Sequence, residues 1–143
     1  MDILHLSWTE VHAQARSFER GVSPLLLERM DARLGHPRTC PHGNPIPRAS
    51  LDVSTYLHNQ HSYRLLEASP GSVHQVLLVS KLVETSAALL ALCAAAGLVP
   101  GAWITRAPGG EQGTVGVRTA EGVQHIAPTL AAHIWVTAPH QPG

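Results

Sequence analysis

The segment His36-Pro37-Arg38-Thr39-Cys40-Pro41-His42-Gly43-Asn44-Pro45-Ile46-Pro47-Arg48 constrains this chain more than any other. Each proline lacks an amide donor and disfavours helix in the residue before it, so prolines recurring at this spacing forbid a helix through the stretch. An ordered loop is expected, its path fixed by the prolines and Gly43, with His42 and Asn44 satisfying backbone groups. His36, Cys40 and His42 invite a zinc reading. They sit between prolines, however, and lack a second pair at zinc-finger distance, which favours the structural role.

Upstream of the loop the pattern is helical. Ser7-Trp8-Thr9-Glu10 has the form of a capping box, and Trp8, Val11, Ala15 and Phe18 then recur at three- and four-residue spacing up to Gly21. Ser23-Pro24 restarts the chain with an N-cap and a proline at the first helical position; Leu26, Leu27, Met30 and Leu34 carry the next apolar face up to Gly35. A helical hairpin is predicted, with stripes that need another helix or another subunit to cover them. Residues 49–68 mix polar and apolar types without a clear period and read as a linker with short strand pieces.

Beyond Ser69-Pro70-Gly71 the pattern changes. Ser72 to Val79 is strand-like, Ser86 to Ala96 is an Ala/Leu helix ending at Gly97, and short strands are expected over Ala102 to Arg106, Thr114 to Arg118 and Ile134 to Val136. Short strands separated by turns such as Pro108-Gly109-Gly110 suggest a small barrel with one inserted helix. The fold class is therefore α+β: a helical module over residues 1–48, a linker over 49–68 and a barrel over 69–138. The tail from Pro139 has no apolar anchor and is expected to fray.

At 143 residues and 44% hydrophobic, the chain can build one ordinary core or two small ones, and two small modules are individually marginal. Ten acidic and ten basic side chains cancel, so the chain lacks the positive field that supplies phosphate affinity on DNA. Its ten histidines admit metal binding or a store of several ions, though scattered surface histidines are the commoner explanation. Cys40 and Cys93 lie in dissimilar surroundings and imply no disulfide framework, which fits a reducing cytoplasm. The N-terminus carries no readable secretory signal, and the most apolar segment, Ala87 to Val99, is too short to span a bilayer. There is no G-x-S-x-G, P-loop or H-E-x-x-H, so no enzyme is expected.

The stretch from Gly35 to Pro47 resembles the loop that closes the dimerisation domain of the iron/manganese-dependent transcriptional repressors, the diphtheria-toxin-repressor family. Glu10-Val11-His12, Phe18-Glu19 and Val22-Ser23-Pro24 are similar to that family's first and second dimerisation helices. Leu98-Val99-Pro100-Gly101 after the Ala/Leu helix, with Ala132-His133-Ile134-Trp135-Val136 near the end, resembles the SH3-like barrel, related to ferrous-transport A proteins, that closes many members.

The resemblance implies a winged helix-turn-helix preceding residue 1, a helical metal-binding and dimerisation domain, and then the SH3-like barrel. Met1 falls inside the dimerisation domain, so the chain is expected to lack its own DNA-binding domain and to meet DNA only through that missing part. The resemblance further implies Mn(II) or Fe(II) as corepressor, with ligands at His12 and Glu19 on the first helix and Glu84 from the barrel. Nitrogen and carboxylate oxygen suit those ions. Arg16 and Arg20 occupy the family's other ligand positions on that helix, and a guanidinium has no lone pair to give. An ion pair of Glu19 with Arg16 is the competing reading. The partner implied is a second copy; the alternative is a metal-independent dimerising or adaptor module that pairs with a full-length repressor.

Overall fold

A computed structural model describes residues 4–46 and 52–141 of the chain. Residues 47–48 of the expected loop, 49–51 of the expected linker and 142–143 of the tail lie outside the described residues.

Helix α1 spans Val11–Glu19. The capping box upstream of it is half-formed: the Ser7 amide donates to Glu10 Oε2 at 3.0 Å, while the Ser7 hydroxyl turns to Glu10 and Thr9 instead of accepting from the helix. Glu10 itself is the N-cap. Helix α2, Pro24–Arg33, begins as the sequence dictates, with the Ser23 side chain accepting from the Leu26 amide and Pro24 in the first turn. Neither helix has a buried side chain.

The proline-rich loop folds back on itself. Thr39 and Pro45 form a bridge, the Cys40 amide donates to the Asn44 carbonyl at 2.8 Å, and the Ile46 amide donates to the Arg38 carbonyl at 2.9 Å.

Helix α3, Val53–Asn59, is capped by Asp52 and leads into strand β1, Tyr63–Arg64, and a 3-10 turn at Leu65–Glu67. Much of the expected linker is therefore structured. Leu65 is fully buried in the core of the barrel and β1 pairs with its last strand, so these residues pack with the barrel. The short strand piece agrees with the sequence pattern, whereas helix α3 and the packing on the barrel leave no clear period to read.

The remaining strands are β2 (Val73–Val79), β3 (Trp103–Ala107), β4 (Val115–Thr119), β5 (Gly122–Ile126) and β6 (Ile134–Val136). They form one antiparallel six-stranded sheet in the order β1-β6-β2-β3-β4-β5. Strand β5 lies outside the strands expected from the sequence; its residues are largely exposed and carry no buried face along most of its length. The short helix α4 (Lys81–Glu84) follows β2, helix α5 (Ala87–Ala95) is the expected Ala/Leu helix, and α6 (Pro128–Ala131) precedes β6. Helix α5 closes on Gly97 in the left-handed region at φ +72°, where the Leu98 amide reaches the Cys93 carbonyl at 2.8 Å and the Gly97 amide reaches Ala94 at 3.1 Å.

The core is one cluster, including Leu65, Val76, Val79, Leu90, Leu98, Ile104, Val117 and Ile134. The architecture is the α+β arrangement expected from the sequence: a helical module followed by a small SH3-like barrel carrying an inserted helix.

Candidate metal centre

The proline-rich loop is docked on the end of β2, and this contact builds the site. Gly43 lies at φ +85°, and a Cβ there would fall 2.0 Å from the Leu77 carbonyl oxygen, so only glycine lets the loop backbone come this close. The Val79 amide donates to the His42 carbonyl at 3.1 Å, and the Asn44 side-chain amide donates to the Val79 carbonyl at 2.9 Å. His42 and Asn44 thus satisfy backbone groups, as expected. Trp8 clamps the other side of the loop: its indole N–H donates to the Pro41 carbonyl at 2.8 Å, and its ring centroid lies 4.9 Å from that of His42.

Glu84, at the end of α4, enters this junction and is only 7% exposed. Its Oε1 accepts from His12 Nδ1 at 2.9 Å, lies 3.4 Å from His42 Nδ1, and takes a longer contact of 3.8 Å from the Cys40 thiol. Its Oε2 accepts from Asn44 Nδ2 at 3.2 Å. His42 is 1% exposed, and its Nε2 donates to the Trp8 carbonyl at 2.9 Å. A buried carboxylate is costly unless paired and hydrogen-bonded, and this one is both.

The electrostatics follow from these partners. Burial disfavours charge on the His42 ring, but hydrogen bonds to Cys40, Glu84 and the Trp8 carbonyl outweigh it and lift its pKa to about 9. Burial likewise favours the neutral carboxyl of Glu84, yet the hydrogen bond from His42 and the charge and hydrogen bond of His12 prevail and hold its pKa below the ordinary value. In the metal-free site the Glu84 carboxylate thus favours its ionised form and the His42 imidazole its protonated form.

His12, His42 and Glu84 offer ligand atoms that all lie within 4.8 Å of one another. Donors about 2.1 Å from one ion are separated by roughly 3–4 Å in tetrahedral or octahedral arrangement, so the cluster closes on an ion with small side-chain adjustments. Among the described residues His12 Nε2 is buried without a hydrogen-bond partner, a nitrogen of the kind that ligates metals. The residues present fit a divalent transition metal.

The structure joins His12 and Glu84, the two expected ligands that lie far apart in sequence, and leaves Glu19 out. Glu19 is exposed and lines a shallow surface depression with Arg16, Ser17 and Arg20. Seven residues of helix place it about 10 Å along the axis from His12. Among the described residues no ion pair joins it to Arg16 or Arg20 either. His42, read from the sequence as structural, completes the cluster. Its partnership with Glu84 depends on how the loop docks on β2, a contact that spacing does not encode.

A profile described as the metal-binding and dimerisation domain of iron-dependent repressors matches residues 1–48. The iron-dependent repressor IdeR of Mycobacterium tuberculosis is 30% identical over 148 aligned residues, which cover 99% of this chain and 58% of that protein. Over nearly its whole length the chain is similar to these iron-dependent repressors. Among solved structures, a manganese-dependent transcriptional repressor in complex with manganese superposes with a TM-score of 0.78 at 28% identity, covering 97% of this chain and 63% of that one. IdeR of T. acidophilum superposes at 0.74 with 25% identity, covering 94% and 59%. The likeness to these repressors takes in both the helical module and the barrel, and the chain spans 58% of the length of the mycobacterial relative. Among the described residues no helix is long and apolar enough to cross a membrane.

Proposed function

We propose that this chain is the sensing and dimerising portion of a metal-dependent transcriptional regulator, with Mn(II) or Fe(II) held by His12, His42 and Glu84. The observation that carries the reading is the convergence of these three side chains, from α1, the proline-rich loop and α4, in a buried junction. A bound ion would tie together three segments that are remote in sequence, so metal occupancy would be coupled to the placement of α1 against the barrel. Cys40 lies beside the cluster as a further donor. In this reading operator DNA is bound outside these 143 residues, and the regulator acts in the cytoplasm as a homodimer.

The dimer is supported by the hairpin. Phe18, Leu25, Leu27 and Leu34 are each more than half exposed, with 62% at Leu25, and neither α1 nor α2 buries a side chain. Exposed apolar side chains of this kind are what a second subunit covers. A second reading, metal-independent pairing, is favoured by Arg16 and Arg20, which place positive charge on the outer face of α1.

Isothermal titration of the chain with Mn(II), Fe(II) and Zn(II), with molecular mass followed by light scattering, separates the two. The expected result is stoichiometric binding that is lost in His12→Ala and Glu84→Gln. A dimer of unchanged mass that takes up no metal would overturn the sensing role and leave the metal-independent module.

A further inference from the structure

Asn44 is 4% exposed, and its side-chain amide has acceptors on both sides: the Val79 carbonyl at 2.9 Å and Glu84 Oε2 at 3.2 Å. Two acceptors around one atom identify it as the nitrogen. The other carboxylate oxygen, Oε1, is the one that meets His12, His42 and Cys40. The two oxygens of Glu84 are therefore divided between a neutral fixed donor and the metal-ligating groups.

We propose that Asn44 is a positioning residue of the metal centre, holding Oε2 of Glu84 so that the carboxylate offers a divalent transition metal one oxygen, Oε1. The inference rests on the metal reading above and deepens it. The holder is itself rigid. The Asn44 carbonyl accepts from the Cys40 amide at 2.8 Å, the His42 carbonyl accepts from the Val79 amide at 3.1 Å, and the close approach at Gly43 leaves the loop no slack. An amide suits the task because it donates without adding a positive charge that would repel the ion. Groups that hydrogen-bond a ligating carboxylate orient it and tune affinity, and their loss typically costs 10–100-fold. A one-oxygen carboxylate beside two imidazoles is a nitrogen-rich set that suits a transition metal, whereas Ca(II) takes six to eight oxygens and often both from one carboxylate.

The test uses Co(II), whose visible absorption reports coordination number, titrated into the wild-type chain, Asn44→Ala and Asn44→Asp, with circular dichroism of each metal-free protein as the folding control. A folded variant is expected to bind Co(II) about 10–100-fold more weakly than wild type and to show a changed visible band. Binding within twofold of wild type with an unchanged band would overturn the role of Asn44 while leaving the metal centre intact. Failure of the wild-type chain to bind Co(II) would take down the metal reading and this inference with it. A crystal structure of the Co(II)-loaded wild type decides the matter should both variants unfold: Oε1 on the ion with Oε2 on Asn44 is expected, and chelation through both oxygens refutes the proposal.

Discussion

Helices α2 and α5 are both leucine-rich and of similar length, PLLLERMDAR against AALLALCAA, yet they have opposite fates. Helix α5 packs Leu90 and Cys93 into the barrel core at 1% and 0% exposure; α2 buries nothing. Apolar content alone does not bury a helix. Burial needs a facing surface, and the barrel supplies one to α5 from its own sheet, whereas among the described residues the hairpin of α1 and α2 meets the rest of the chain at the junction around Trp8 and His12. The barrel closes a core around its own sheet, and the hairpin leaves its leucines exposed.

The largest effect should come from the core. Leu98→Ala removes a fully buried side chain and should lower stability by about 2–5 kcal/mol in urea unfolding. Leu27→Ala on α2, 54% exposed, should change the unfolding of a dilute, monomeric sample by roughly 0.5 kcal/mol or less while weakening self-association measured by light scattering. Equal losses for the two would break the comparison.

Gly43→Ala probes the seam between the regions. Its Cβ would strike the Leu77 carbonyl at a left-handed backbone position, so a loss of about 1–3 kcal/mol is expected. The loop should lift from β2, seen as faster amide exchange at Val79, whose N–H it now occupies.

The pH dependence of the metal-free protein sharpens the same seam. The pKa of His42 is raised when folded, so its contribution to stability is complete below the unfolded value of 6.5 and is lost as pH rises towards about 9. That of Glu84 is lowered, so its contribution is present above 4.5 and is lost as pH falls below that. Thermal melts should be highest between those limits, and His42→Phe should flatten the alkaline side. A melt profile that rises from pH 6.5 to 9 would contradict the pairing.

The smallest effect concerns the cysteines. Burial pushes the Cys93 thiol up to about 11, so it should resist iodoacetamide in the folded protein at pH 8, while the partly exposed Cys40 is modified. Mass spectrometry should find one adduct per chain, at Cys40.

The sequence by itself determined what rests on local chemistry. The Ser23-Pro24 start of α2, the Ser86 to Gly97 limits of α5 and the non-helical path of the proline-rich loop follow from caps, prolines and glycine, all of which act within a turn or two. The family resemblance pointed to His12 and Glu84 as candidate ligands, and the structure brings these two side chains together. Only the tertiary structure decided that β1 and Leu65 pack with the barrel and that β5 is a strand, because pairing between distant segments leaves no local period. The same reason governs the site. Glu19 lies seven residues from His12, yet the helix carries it out to solvent, while His42 lies thirty residues away and is brought into contact with Glu84 by a loop docked on β2. Distance along the chain sets which groups share a helix; long-range packing sets which converge on one site.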